Sequence, residues 1–142
     1  MEKALRHELI KAIPELNNQI YPTNAPESST KPYLVYARIN TRKTKTLEGY
    51  TDKQELSYMF SVMATKYSDM VSLRNKVEQL LLSLPKKNIG SDSSIFIEDI
   101  DINNIDETWE SQLLINRGII DFTIYYLKTR YKQIFIVDIG VD

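Results

Sequence analysis

Three prolines placed close together divide this chain into one helical pattern and a longer series of β patterns. Pro22 and Pro26 belong to the stretch Ile20–Pro26, and Pro32 stands directly before the run Tyr33–Tyr36. Proline fixes the backbone angle φ and restricts the preceding residue to extended geometry. We therefore expect an ordered connector that leads straight into a strand.

The segment before the connector, Glu2 to Ile13, has the apolar spacing of a short amphipathic helix that ends at Pro14. Its apolar stripe consists of Leu5, Leu9 and Ile13, widened by Ile10 and Ala12.

A second and more apolar helix is predicted to begin near Ser68 or Asp69, either of which is a suitable N-cap, and to end at Pro85. Its core stripe consists of Met70, Leu73, Val77, Leu80, Leu81 and Leu84.

Four segments have the alternation of β-strands, and the stretches between them are polar. The predicted strands are Tyr33–Ile39, Glu55–Ala64, Ile95–Ile102 and Leu113–Leu127. The polar stretch 41–54 predicts the loose tip of a long hairpin, and the acidic stretch 103–110 predicts a turn. Gly118 suggests a bulge or a bend in the last strand. The apolar segment Gln133–Ile139 is a candidate terminal strand.

This element order predicts one α+β domain over residues 1–142, with residues 130–142 as a terminal strand or arm. A mostly antiparallel sheet of four or five strands would be covered on one face by the two helices. Leu56, Tyr58, Phe60 and Val62 would point towards the helices. Met59 and Met63 would lie on the uncovered face, which either is an interface or is covered by the terminal segment.

The composition excludes several kinds of chemistry. The net charge of −1 gives no general attraction to nucleic acid or anionic membranes, and the absence of cysteine excludes disulfides and thiolate metal sites. No apolar run approaches the roughly 20 residues of a membrane span. No phosphate-binding glycine motif or nucleophile motif is present. We therefore expect neither an enzyme, nor a cofactor, nor a membrane partner.

Two charged groups are candidate binding sites. Acidic residues follow the third strand, and Asp99 and Asp101 would share a face suited to a divalent cation, although a solvated strand end is the simpler interpretation. Arg42, Lys43 and Lys45 form a basic patch that could contact phosphates, an acidic partner ring or only water.

The order of elements, together with one motif, resembles the tail terminator family, the tail-completion or head–tail joining proteins of tailed bacteriophages. The resemblance covers roughly residues 2–127. The residues that carry it are Tyr21, Pro22, Ala25, Pro26, Pro32, Tyr33, Leu34, Val35, Tyr36, Gly49, Glu55, Leu73, Val77, Leu80, Leu81 and the segment Ile120–Tyr125.

The resemblance implies a virion protein of the tail or neck, assembled in the host cytoplasm, that forms a hexameric ring on the last ring of the tail tube. Such a ring stops tube polymerisation and presents the surface to which the head–tail connector docks. Under this hypothesis Arg42, Lys43 and Lys45 contact the tube, the ring lumen or its DNA. The candidates for subunit contacts are Met59, Met63, Ile134, Phe135 and Ile136. The alternatives are another neck protein, such as a connector stopper or a minor tail protein, and a small metal-dependent enzyme.

Overall fold

The structure is a computed structural model that describes residues 1–23, 31–46, 49–112 and 114–128, and gives the backbone alone for residues 40, 42–46, 49–52 and 128. Two α-helices, a short 3-10 helix and six strands follow one another along the chain. They are α1 (Glu2–Ala12), the 3-10 helix (Pro14–Leu16), β1 (Ile20–Pro22), β2 (Tyr33–Thr46), β3 (Gly49–Ala64), α2 (Tyr67–Ser83), β4 (Asn88–Ile89), β5 (Ile95–Glu110) and β6 (Ile115–Lys128).

The six strands form one sheet in the order β1-β2-β3-β6-β5-β4. Every neighbouring pair is antiparallel except β1 and β2, which are parallel. The α+β class and the mostly antiparallel pairing are therefore confirmed. The prediction of four or five strands was too low, because β1 and β4 are too short to produce an alternating pattern in the sequence.

The core lies between the helices and the face of the sheet formed by alternate residues of β3 and β6. On β3 the four residues predicted to point inward are at most 1% exposed, and Ile120, Phe122 and Ile124 of β6 are fully buried. Phe60 and Phe122 meet edge to face with ring centroids 4.8 Å apart. Aromatic pairs of this geometry stabilise a core beyond the area they bury.

Both helices contribute to the same core, but two details of their prediction were wrong. In α1, Leu5 and Leu9 are buried as expected, whereas Ile10 and Ala12 face solvent and Ala4 is buried instead. Helix α2 has Lys66 as its N-cap, without a capping side chain, rather than Ser68 or Asp69. All six stripe residues of α2 are buried or partly buried, so the core face of this helix is confirmed.

The connector joins two segments that lie side by side. Ile20–Pro22 pairs with Leu34–Tyr36, and the backbone N–H of Thr23 donates to the carbonyl of Tyr36. The Lys31–Pro32 peptide bond is cis. Residues 24–30, the middle of the connector, lie outside the described residues.

The predicted long antiparallel hairpin is confirmed, but its loose tip over residues 41–54 is wrong: β2 extends to Thr46, β3 begins at Gly49, and the strands stay paired as far as these two residues. Polar and basic residues can continue the strands because each strand supplies backbone hydrogen bonds to the other.

The predicted turn at residues 103–110 is also wrong, because β5 extends to Glu110 and pairs with β6 along this stretch. Register irregularities between Ile97 and Asp99 and between Ile102 and Asn104 shift the alternation. As a result Ile97 and Ile100 are both buried, although strict alternation places residues three apart on opposite faces. A bulge changes which face the following residues occupy, so strict alternation fails past it.

Gly118 does not form a bulge, since β6 keeps its register with β3 and β5 at this position. It provides space for α2. A Cβ atom at Gly118 would lie 2.6 Å from Met70 Sδ and 3.1 Å from Arg74 Cδ. Met70 is itself fully buried, so α2 can approach the sheet this closely only over a glycine.

Gly118→Ala should therefore lower the free energy of unfolding by about 1–3 kcal/mol, because the added methyl group overpacks the contact with α2. Urea denaturation followed by circular dichroism measures the change. The double variant Gly118→Ala/Met70→Ala should lose less stability than the sum of the two single variants, because the smaller residue 70 leaves room for the methyl group. Strict additivity would contradict the close packing.

Candidate assembly surfaces

The face of the sheet opposite the helices is the first candidate surface. Met59 and Met63 lie on it, because they alternate along β3 with the buried Tyr58, Phe60 and Val62. Both methionines are half-buried in the single chain. Neighbouring side chains on this face therefore already remove part of the methionine surface from solvent.

Arg117 of β6 provides much of this shielding. Its guanidinium donates to Ser61 Oγ from Nε at 3.1 Å and from Nη2 at 2.9 Å, and Nη2 lies 3.8 Å from Met59 Sδ. Glu110 of β5 lies 3.6 Å from Nη1. Because a guanidinium is a planar fork of donors, one side chain can link three strands in this way.

A second polar group lies further along the same face. The hydroxyls of Ser57 and Thr123 are 2.9 Å apart, and Asn103 Nδ2 donates to Thr123 Oγ1 at 2.9 Å. Ser61 and Thr123 are only 2% and 8% exposed. This face is thus more polar and better hydrogen-bonded than its methionines suggested.

The basic residues Arg42, Lys43 and Lys45 lie on β2, not in a loop. Arg42 pairs with Glu55 of β3, Lys43 with Gln54 and Lys45 with Tyr50. The three residues thus lie on a paired strand, and we call them the basic segment.

The acidic residues of β5 do not form a metal site in the described part of the chain, where no group of three His, Asp or Glu residues could hold an ion. Asp101 Oδ2 instead accepts a hydrogen bond from the Tyr125 hydroxyl at 2.9 Å. This hydrogen bond, with burial and the nearby carboxylates, raises the pKa of Tyr125 above its usual value. The metal-enzyme alternative has no support in this geometry.

The remaining candidate contacts, Ile134, Phe135 and Ile136, lie outside the described residues. No helix of the described residues is long and apolar enough to span a membrane.

The sequence profile of one family, described as tail completion protein gp17, matches residues 3–127. The chain belongs to this family. It is therefore a structural component of a phage-type tail and not an enzyme, which confirms the resemblance seen in the sequence. No curated protein sequence matches the chain.

Two solved structures have a similar fold. One belongs to the virion of a native gene transfer agent particle, with a TM-score of 0.69 and 10% identity over 89% of this chain and 94% of the other. The second has a TM-score of 0.52 and 11% identity over 90% of this chain and 96% of the other. At such low identity the agreement shows the fold alone.

Sequence reasoning missed the role of Arg117. The signal was present, because Arg117 alternates with Gly118 and Ile120 and so had to lie on the outer face with Met59 and Met63. What the sequence could not supply was the register between β3 and β6, which places Arg117 opposite Met63.

Arg117→Met should lower the free energy of unfolding by about 1–2 kcal/mol, because the buried Ser61 hydroxyl loses its donors. The control is Lys76→Met, which removes the exposed ion pair with Glu15 and should cost less than about 1 kcal/mol. Urea denaturation of both variants gives the comparison. Equal effects would mean that Arg117 acts only as a surface charge.

Proposed function

We propose that this protein forms a ring, most simply a hexamer, that caps the tail tube. The ring ends polymerisation of the tube and presents the surface to which the head–tail connector binds. Membership of the tail completion family supports this proposal most strongly. The fold shared with a protein of a gene transfer agent virion is consistent with it.

A ring of identical subunits needs heterologous contacts, in which two different surfaces of the chain meet and the rotation closes. We assign the apolar part of this contact to Met59 and Met63 of the outer face and to Ile134, Phe135 and Ile136 of the C-terminal segment. The half-buried state of the two methionines supports this, because a partner can remove the remaining apolar surface from water.

The basic segment is the proposed contact with the tube or with DNA in the ring lumen. Arg42, Lys43 and Lys45 lie among the last five described residues of β2, paired with β3. Three basic residues close together on one strand can bind an acidic partner surface or phosphates.

The test measures tube length. Purified protein added to polymerising tube protein should stop growth and give short tubes in negative-stain images. The variant Arg42→Glu/Lys43→Glu/Lys45→Glu should give long tubes, while its circular dichroism spectrum stays unchanged.

The control, Lys3→Glu/Lys66→Glu/Lys87→Glu, changes the same amount of charge at exposed positions on or next to the helices and β4. It should still stop tube growth. Tubes that continue to grow in the presence of the unmodified protein would overturn the capping proposal itself.

A further inference from the structure

Strands β2 and β5 are each paired along only part of their outer edge, by the short strands β1 and β4. β1 pairs with β2 at residues 34–36 alone, and β4 pairs with β5 at residues 95–96 alone. Along residues 37–46 and 98–110 no described strand lies on the outer side. A long open strand edge can pair with another chain unless something prevents it.

The two open edges carry opposite charge. Residues 37–46 contain four basic residues and no acidic one, whereas residues 98–110 contain six acidic residues and no basic one. The basic residues are Arg38, Arg42, Lys43 and Lys45, and the acidic residues are Glu98, Asp99, Asp101, Asp106, Glu107 and Glu110.

Part of the negative charge on β5 has no ion-pair partner among the described side chains. Glu98, Glu107 and Glu110 form ion pairs with Lys53, Arg74 and Arg117 respectively. The described side chains provide no such cation for Asp99, Asp101 or Asp106, all three of which are exposed.

Two of these carboxylates also shape the edge. Asp99 Oδ1 accepts the backbone N–H of Ile100 at 2.9 Å, and Asp106 Oδ1 accepts that of Glu107 at 2.8 Å. The carboxylates therefore lie along the backbone of the edge strand. A second acidic edge brought against it would meet like charge.

We propose that the acidic edge of β5 binds the basic edge of β2 in a second copy of this chain. Two acidic edges repel each other, as do two basic edges, so the charges exclude a two-fold contact and favour a head-to-tail one. Head-to-tail contacts produce a ring when the rotation closes. The contact shares Arg42, Lys43 and Lys45 with the proposed tube contact, and its closure into a tube-capping ring rests on the proposed function.

Strand direction fits this arrangement. Because β2, β3, β6 and β5 alternate in direction, β2 and β5 run opposite to each other. The ladders place Arg42 level with Asp99 and Arg38 level with Ile102, so a copy rotated about an axis roughly along the strands would bring its residues 37–42 antiparallel to residues 99–104 of the neighbouring β5.

Two charge-reversed proteins test the contact. Asp99→Lys/Asp101→Lys/Asp106→Lys removes the net negative charge of the β5 edge, because three lysines then balance Glu98, Glu107 and Glu110, and Arg42→Glu/Lys43→Glu/Lys45→Glu makes both edges acidic. Sedimentation velocity over a concentration series should show association of each variant alone weakened by more than about tenfold relative to the unmodified chain.

An equimolar mixture of the two variants should associate again, because the unmodified basic edge of the first variant can then bind the unmodified acidic edge of the second. Raising NaCl from about 0.05 M to about 0.5 M should weaken association of the unmodified chain, because salt screens exposed charges.

The matched control mixes two proteins with the same changes of net charge away from the edges. They are Glu15→Lys/Asp69→Lys/Glu78→Lys and the variant Lys3→Glu/Lys66→Glu/Lys87→Glu used in the tube experiment. Each control should associate alone as the unmodified chain does, and their mixture should gain nothing beyond that.

Unchanged association of either edge variant alone, as would follow if the chain's own residues 129–142 occupy an edge, would overturn the proposal. Two edge variants whose mixture does not recover would overturn it as well. Tube capping is scored separately on the unmodified chain: if it associates through the two edges but leaves tubes long, the edge contact stands and the capping function fails.

Discussion

The pairing of β3 with β6 is the interaction on which the rest of this structure depends. Its register runs without interruption from Lys53 opposite Leu127 to Ala64 opposite Asn116. On one face it places Tyr58, Phe60 and Phe122 together beneath the helices. On the other face it brings Arg117 to Ser61. One ladder thus fixes both the core and the composition of the exposed face, and Gly118 near one end of it sets how closely α2 approaches.

The same ladder holds the outer strands at opposite sides of the sheet. Beyond the short partners β1 and β4, strands β2 and β5 present edges of opposite charge. A net charge of −1 conceals this separation, because the four basic and six acidic residues largely cancel in the sum. For the proposed head-to-tail contact, the arrangement of charge is more informative than the total.

Much of the fold followed from the sequence where local pattern and tertiary environment agree. The alternation of Leu56, Tyr58, Phe60 and Val62 predicted the buried face of β3, and the spacing of Met70, Leu73 and Val77 predicted that of α2. The sequence pattern failed where contacts with neighbouring strands determine the secondary structure. The polar residues of 41–54 and 103–110 form strands because neighbouring strands supply their hydrogen bonds, and the irregularity after Ile97 depends on pairing with β6.

The candidate surfaces were predicted less completely for the same reason. The basic residues were visible in the sequence, but their place on an open edge opposite an acidic edge requires the strand order. That order is a property of the whole sheet and not of any short segment. The contact between Arg117 and Met59 likewise needs a register that spans 58 residues of chain.

Cryo-electron microscopy of tail tubes grown in the presence of the protein tests the central claim most directly. Our account predicts one additional ring at a single end of each tube, with six copies of the chain joined head to tail. Binding along the tube wall, or a ring at neither end, would contradict it.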